Sequence, residues 1–230
     1  MLPKKSEGLM MQTVIAFSDD SLNPAVRGSL HAPVNPNGDA LILTHGAGSN
    51  CTAPLLVALG ETFASRGFLV LRCDLPFRHE RRTGPLTAVI AERDRAGLRN
   101  TVAVLRKRVE GRIFLGGHSY GGRQATMLCA SEPELVSGLL LLSYPLHPPR
   151  KPEQLRIQHL PNLRTPSLFV HGTRDPFGSI EEMTIALRLV PAKTEVMKVE
   201  DAGHDLGFKG KAQPQGLPAS IASKFCEMFS

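Results

Sequence analysis

A serine hydroxyl is a weak nucleophile at neutral pH until a base takes its proton and an acid holds that base in the right tautomer. The chain carries all three residue types in segments that follow apolar runs. Gly117-His118-Ser119-Tyr120-Gly121 has the pattern Gly-x-Ser-x-Gly, preceded by Ile113-Phe114-Leu115 and followed by the helix-permissive Arg123-Gln124-Ala125-Thr126-Met127-Leu128. That order predicts a strand, a sharp turn and a helix, with Ser119 held up at the apex. A turn so tight strains the serine backbone and leaves no room for a Cβ at Gly117 or Gly121. Taken alone, the motif also suits a Gly-rich turn bearing a solvated serine.

Other loops supply what Ser119 lacks. Asp175 stands in His171-Gly172-Thr173-Arg174-Asp175-Pro176, just after the apolar run ending at Val170, and His204 in Asp201-Ala202-Gly203-His204-Asp205, after the last β-like run. The chain order Ser, Asp, His is that of α/β-hydrolases rather than of chymotrypsin or subtilisin. We read Ser119 as nucleophile, His204 as base and Asp175 as the orienting acid. His118 is adjacent to the serine and should point elsewhere, His45 and His171 should line or support the site, and Asp201 and Asp205 suit loop caps. An oxyanion needs aimed N–H donors. The amide of Tyr120, just after the nucleophile, is one candidate. The second is the amide of Ala47 in His45-Gly46-Ala47-Gly48, where glycines let the backbone approach a substrate.

These residues need a scaffold that gathers them. Val14–Phe17 and Val26–His31 read as an opening hairpin split by Asp19, Asp20, Asn23 and Pro24. Strands are expected at 40–44, 68–72, 113–117, 138–143, 167–171 and 194–199. Helices are expected over 54–65, where Pro54 suits a first turn and Gly67 a stop, over 86–109, where Leu86, Ile90, Leu98, Val102, Leu105 and Val109 recur at helical spacing, over 180–190 and from Leu217 on. Strand and helix alternation argues a mostly parallel, doubly wound α/β sheet, with helices on both faces and ligands at the carboxyl ends of the strands. The stretch from Tyr144 to Pro166 is long enough for a modest flap and no more.

Composition excludes other classes. With 230 residues, 42% hydrophobic and 21% charged, the chain fits one domain over 1–230. No apolar run approaches the roughly 18 residues of a membrane span, and residues 1–12 have no leader-like apolar core, so a cytoplasmic location is expected and no membrane partner. The net charge of +6 is spread over many segments, and with no Trp and two Tyr there is no stacking platform for nucleic acid. Cys51, Cys73, Cys129 and Cys226 form no metal-binding or disulfide pattern. No metal or organic cofactor is implied, and the oligomeric state is left open.

The segments HGAG, GHSYGG, HGTRDP and AGHD together resemble the α/β-hydrolase superfamily over nearly the whole chain. Leu75–Arg82 and Leu141–Pro149 are similar to segments of the testis-expressed and NSL-complex α/β-hydrolase-like proteins, related to the dienelactone-hydrolase-like branch. The resemblance implies a three-layer core with a sheet of about seven to eight strands and little or no lid. It specifies no substrate, and some relatives act within protein complexes. Dienelactone hydrolases proper use a cysteine nucleophile, where this elbow has Ser119, so their chemistry does not transfer. The expected activity is hydrolysis of a small-molecule carboxylic ester or related acyl compound, with thioesterase, peptidase and acyltransferase activities left open. The alternative is an interaction domain that keeps the architecture without turnover. His45, Gly46, His118 and Arg78 are the candidate pocket residues. The basic run Arg78–Arg82 suits a solvated loop, or the recognition of an anionic substrate.

Overall fold

In the computed structural model, residues 13–80, 87–210, 214 and 216–230 are described. The readings of residues 1–12, Arg81, Arg82 and Leu86 fall outside them. Among the described residues eight strands form one open sheet: β1 (Thr13–Asp19), β2 (Val26–Ala32), β3 (Ala40–Thr44), β4 (Leu69–Cys73), β5 (Ile113–His118), β6 (Gly138–Leu142), β7 (Ser167–Gly172) and β8 (Thr194–Val199). Their spatial order is β1-β2-β4-β3-β5-β6-β7-β8. The hairpin strands pair antiparallel, β2 is antiparallel to β4, and from β4 to β8 every pairing is parallel.

That order places a switch point beside β3. The chain steps from β3 outward to β4 through helix α1 (Pro54–Ser65), then returns past β3 to β5 through the long helix α3 (Ala88–Arg106). Crossovers leaving in opposite directions open a crevice at the carboxyl ends of β3 and β5. Both the Gly46–Gly48 loop and Ser119 follow those two strands.

The central strands are buried on both faces because helices cover both. β3 and β6 have no exposed residue, matching their unbroken apolar sequences. On one face Leu55, Leu56, Leu59 and Phe63 of α1 meet Phe225 of α6 (Leu217–Met228) and the alternate strand residues Leu41, Leu43, Leu140 and Leu142. On the other, Leu98, Val102 and Leu105 of α3 and Leu128 of α4 (Tyr120–Ser131) meet Ile42, Leu115, Leu139 and Leu141. Alternation along β3 and β6 thus divides each strand between two cores. Each side chain so enclosed contributes roughly 1.5–3 kcal/mol relative to exposure.

The helix over 54–65 is found with the expected bounds, Pro54 in its first turn. The helix expected over 86–109 spans 88–106 in its described part, opened by Thr87, whose hydroxyl accepts from the Ile90 N–H at 3.4 Å. Helix α5 (Ile180–Leu187) stops before Val190, because the residue preceding Pro191 is biased away from helical geometry. Two segments differ from expectation. Residues 78–80, the described part of the run expected as a charged loop, belong to a short helix, α2 (Pro76–Glu80), whose Pro76 and Phe77 are buried. The connection from Tyr144 to Pro166 is no free flap, since Tyr144, Leu146, Leu160 and Leu163 are enclosed in the core.

Candidate active site

Ser119 sits where β5 becomes α4, at φ 52° and ψ −116°, in the left-handed region a non-glycine residue adopts only when its surroundings enforce it. One hydrogen bond and two close backbone approaches do so. The Ser119 N–H donates to the carbonyl of Leu142 at 2.8 Å. A Cβ on Gly117 would lie 2.5 Å from the Gly122 nitrogen, and one on Gly121 would lie 2.5 Å from the His45 carbonyl oxygen. Both glycines therefore let the elbow close against the helix and against β3.

The Ser119 hydroxyl donates to Nε2 of His204 at 2.8 Å, and His204 Nδ1 donates to both carboxylate oxygens of Asp175 at 3.0 and 2.8 Å. Those bonds fix the tautomer: the proton lies on Nδ1 and the lone pair faces the serine. The Asp175 carboxylate is fully buried, while the imidazole keeps 22% exposure. The structure thus brings together residues 119, 175 and 204 from the ends of β5, β7 and β8.

The acid and base are further braced. Phe177 donates its N–H to Asp175 Oδ1 at 2.9 Å and lays its ring 4.1 Å from the His204 ring at 31°. His118 donates Nε2–H to the His204 carbonyl oxygen at 2.8 Å. It is therefore no competing base but a strut under the loop that bears His204. Burial pulls its pKa down to about 4, against the opposing pull of the His204 carbonyl to which it donates, so it stays neutral. His171 is buried beneath the acid, 3.8 Å from Asp175 Oδ2, and donates Nε2–H to the Gly178 carbonyl at 2.8 Å.

The Tyr120 amide begins α4, where helix geometry supplies no acceptor. The Ala47 amide lies in an exposed loop, and among the described residues neither N–H has a protein acceptor. Both residues are held from behind. His45 is fully buried; its Nε2 accepts the Leu75 N–H at 3.0 Å, which leaves Nδ1–H to donate to the Gly46 carbonyl at 2.8 Å. Arg78 reaches from α2 to donate to the Ala47 carbonyl at 2.6 Å. Phe77 meets the rings of His45 and Tyr120 edge-on, at 5.7 and 6.0 Å. Arg78, expected in the pocket, does not line it and supports the loop instead.

One acid escaped the sequence reading. Asp94 on α3 is fully buried, accepts the Tyr120 hydroxyl at 2.7 Å and the Phe77 N–H at 3.0 Å, and has its pKa raised by burial. Its signal was present: position 94 falls between Ile90 and Leu98 on the apolar stripe, where a charge needs a partner.

The site opens into a cavity of about 570 Å³ lined by His45, Gly46, Ala47, Ser119, Tyr120 and His204, among others. Cys51, which follows the Gly46–Gly48 loop, is buried, and its thiol is pushed up to about 11 by burial and by Asp74, the reverse of an activated nucleophile. Among the described residues no group of His, Cys, Asp and Glu is arranged to hold a metal, and no helix is long and apolar enough to cross a membrane.

A family model described as an alpha/beta hydrolase domain matches residues 37–223. A protein of Escherichia coli K12 provisionally assigned as a carboxymethylenebutenolidase is 32% identical over 126 residues. That match covers 51% of this chain and 44% of the relative, so the chain spans under half the length of the curated protein it matches. Among solved structures, a dienelactone hydrolase from Anabaena variabilis superposes with a TM-score of 0.72 at 20% identity, covering 95% of this chain and 97% of that one. Est1E from Butyrivibrio proteoclasticus gives 0.71 at 16% identity, covering 94% and 98%. A serine hydrolase without a lid from Xanthomonas campestris gives 0.65 at 13%, covering 96% and 95%.

Proposed function

The chain belongs to the alpha/beta hydrolase family, and from that premise we propose that it is a serine hydrolase cleaving a carboxylic ester or a related acyl compound. The observation that carries this reading is the unbroken chain from the Ser119 hydroxyl through His204 to the buried Asp175, with bonds of 2.8 to 3.0 Å. A structural histidine has no need to meet both a strained serine and a buried acid at the mouth of a cavity. The names of similar proteins, carboxymethylenebutenolidase and dienelactone hydrolase, concern the same class of bond.

In the proposed reaction Ser119 Oγ attacks the acyl carbon while its proton passes to His204 Nε2. Asp175 stabilises the imidazolium that forms and keeps its own charge. The carbonyl oxygen, now anionic, is received by the Ala47 and Tyr120 amides, a contribution of about 3 kcal/mol for each such donor. Collapse returns the proton from His204 to the leaving alcohol and leaves an acyl-serine. Water, deprotonated by the same imidazole, then releases the acid and restores the hydroxyl.

Labelling by an uncharged fluorophosphonate, together with turnover of short p-nitrophenyl esters, tests the reading. Both are expected of the wild type and both should vanish in Ser119→Ala. A folded wild type that neither labels nor turns over would overturn it and leave an interaction domain on a hydrolase scaffold.

A further inference from the structure

We propose that Arg123 and Arg156 form a subsite that binds an anionic oxygen group, carboxylate or phosphate, carried by the substrate beside its scissile acyl bond. This rests on the serine-hydrolase reading and adds to it the charge of the substrate. Arg123 stands one helical turn beyond the nucleophile, its N–H donating to the Ser119 carbonyl at 3.0 Å. Arg156 belongs to the Tyr144–Pro166 connection, and both line the same cavity as Ser119 and His204.

The arginines around them show what a structural arginine looks like in this chain. On α3, Arg95 is paired with Glu92 and donates to the Gln124 side chain at 2.9 Å, and Arg99 reaches Glu132 at 2.8 Å. At the far end of the sheet, Arg112 grips Asp39 at 2.8 Å. Arg123 and Arg156 have no such acid among the described residues. Arg123 Nε is buried with no hydrogen-bond partner, and the one bond that the Arg156 guanidinium makes among them is a long 3.5 Å contact to the Pro145 carbonyl. Outside the described residues the chain has a single acidic side chain, Glu7. The acid that does line the cavity, Asp205, is engaged by the N–H groups of Gly207 and Lys209 at 3.1 and 3.0 Å.

The two guanidinium groups also disfavour each other. Burial and then Arg123 lower the pKa of Arg156, and His159 is held at about 4 by burial and then by Arg123. The neighbouring frame is nevertheless built to keep the pair in place. Tyr144 donates its hydroxyl to the Arg156 carbonyl at 2.9 Å, Thr126 donates to the Arg123 carbonyl at 2.8 Å, and His159 Nε2 lies 2.8 Å from the same Thr126 hydroxyl. A pair of half-buried cations that repel one another, anchored by their backbones and lacking an acid among the described residues, is completed by an anion delivered from the cavity.

The test compares p-nitrophenyl hemiadipate with neutral p-nitrophenyl heptanoate, and p-nitrophenyl 5-phosphonopentanoate distinguishes phosphate-type from carboxylate recognition. The wild type should favour one of the anionic esters over the neutral one by at least tenfold in kcat/KM. In Arg156→Gln that ratio should fall about tenfold, and in Arg123→Gln by a similar factor, as expected for loss of one charge-assisted bond. Fluorophosphonate labelling and the thermal midpoint report on the nucleophile and on folding. Should Arg123→Gln fail to fold, Arg156→Gln on the irregular connection carries the test. A wild type that labels yet shows no anionic preference overturns the subsite while leaving the hydrolase reading intact. So does a ratio unmoved in the folded variants. A wild type that does not label removes both.

Discussion

Two buried carboxylates flank the elbow, and they do different work. Asp175 and Asp94 each accept one backbone N–H and one side-chain donor: Phe177 and His204 for the first, Phe77 and Tyr120 for the second. The ring held by Asp175 is the proposed base. The ring held by Asp94 belongs to the residue whose backbone N–H is the proposed oxyanion donor. On the proposed reading one acid governs where a proton goes, and the other governs where a dipole points. The difference teaches that similar local wiring can serve chemistry directly or serve only its geometry.

The contrast can be broken by substitution. Asp175→Asn should cost on the order of 10³–10⁴ in kcat, because an amide favours the wrong imidazole tautomer, measured by steady-state turnover of a neutral ester. Asp94→Asn keeps an acceptor for the Phe77 N–H and should lower kcat about tenfold, with KM shifted less. Asp94→Ala leaves the Phe77 N–H and the Tyr120 hydroxyl unpaired and should also lose about 2–4 kcal/mol of stability in urea unfolding. Equal losses for Asp175→Asn and Asp94→Asn would abolish the distinction. Tyr120→Phe removes the hydroxyl and keeps the N–H, so a few-fold loss in kcat and about 1 kcal/mol are expected.

A gentler probe is pH. His31, His118 and His159 have folded pKa values of about 4, below their ordinary 6.5, through burial. The unfolded chain therefore binds more protons between pH 4 and 6.5, and stability is lost as pH falls through that window. The thermal midpoint should drop from pH 7 to pH 5, with each of these histidines contributing at most about 1.4 kcal/mol per pH unit. Neither acid of the comparison is needed for that effect, which separates global from local titration.

The scaffold was legible where burial is one-dimensional. Ala40–Thr44 and Gly138–Leu142 are runs that can be little else than strands covered on both faces, and the residues after such strands fall at one edge by topology. That is why Ser119, Asp175 and His204 could be named together. What sequence order conceals is the packing between elements remote in the chain. Asp94 falls on the apolar stripe between Ile90 and Leu98, which marks it as needing a partner, but nothing in α3 itself names that partner as Tyr120. Phe177 follows a proline in a loop, and nothing in its type announces a ring laid on His204. Arg78 reads as part of a basic run, yet its contact is the carbonyl of Ala47, 31 residues earlier.

The thiols give the molecule a chemical fingerprint. Cys51, Cys73 and Cys129 are all buried, with thiols pushed to about 11, 12 and 12, so only the half-exposed Cys226 at the far end of α6 remains open to alkylation. Iodoacetamide should modify one position at most in the native state and leave ester turnover intact, whereas organophosphates should silence it. A relative working through a thiolate would show the opposite pattern of sensitivity, so reagent selectivity alone can tell the two nucleophiles apart on one shared architecture.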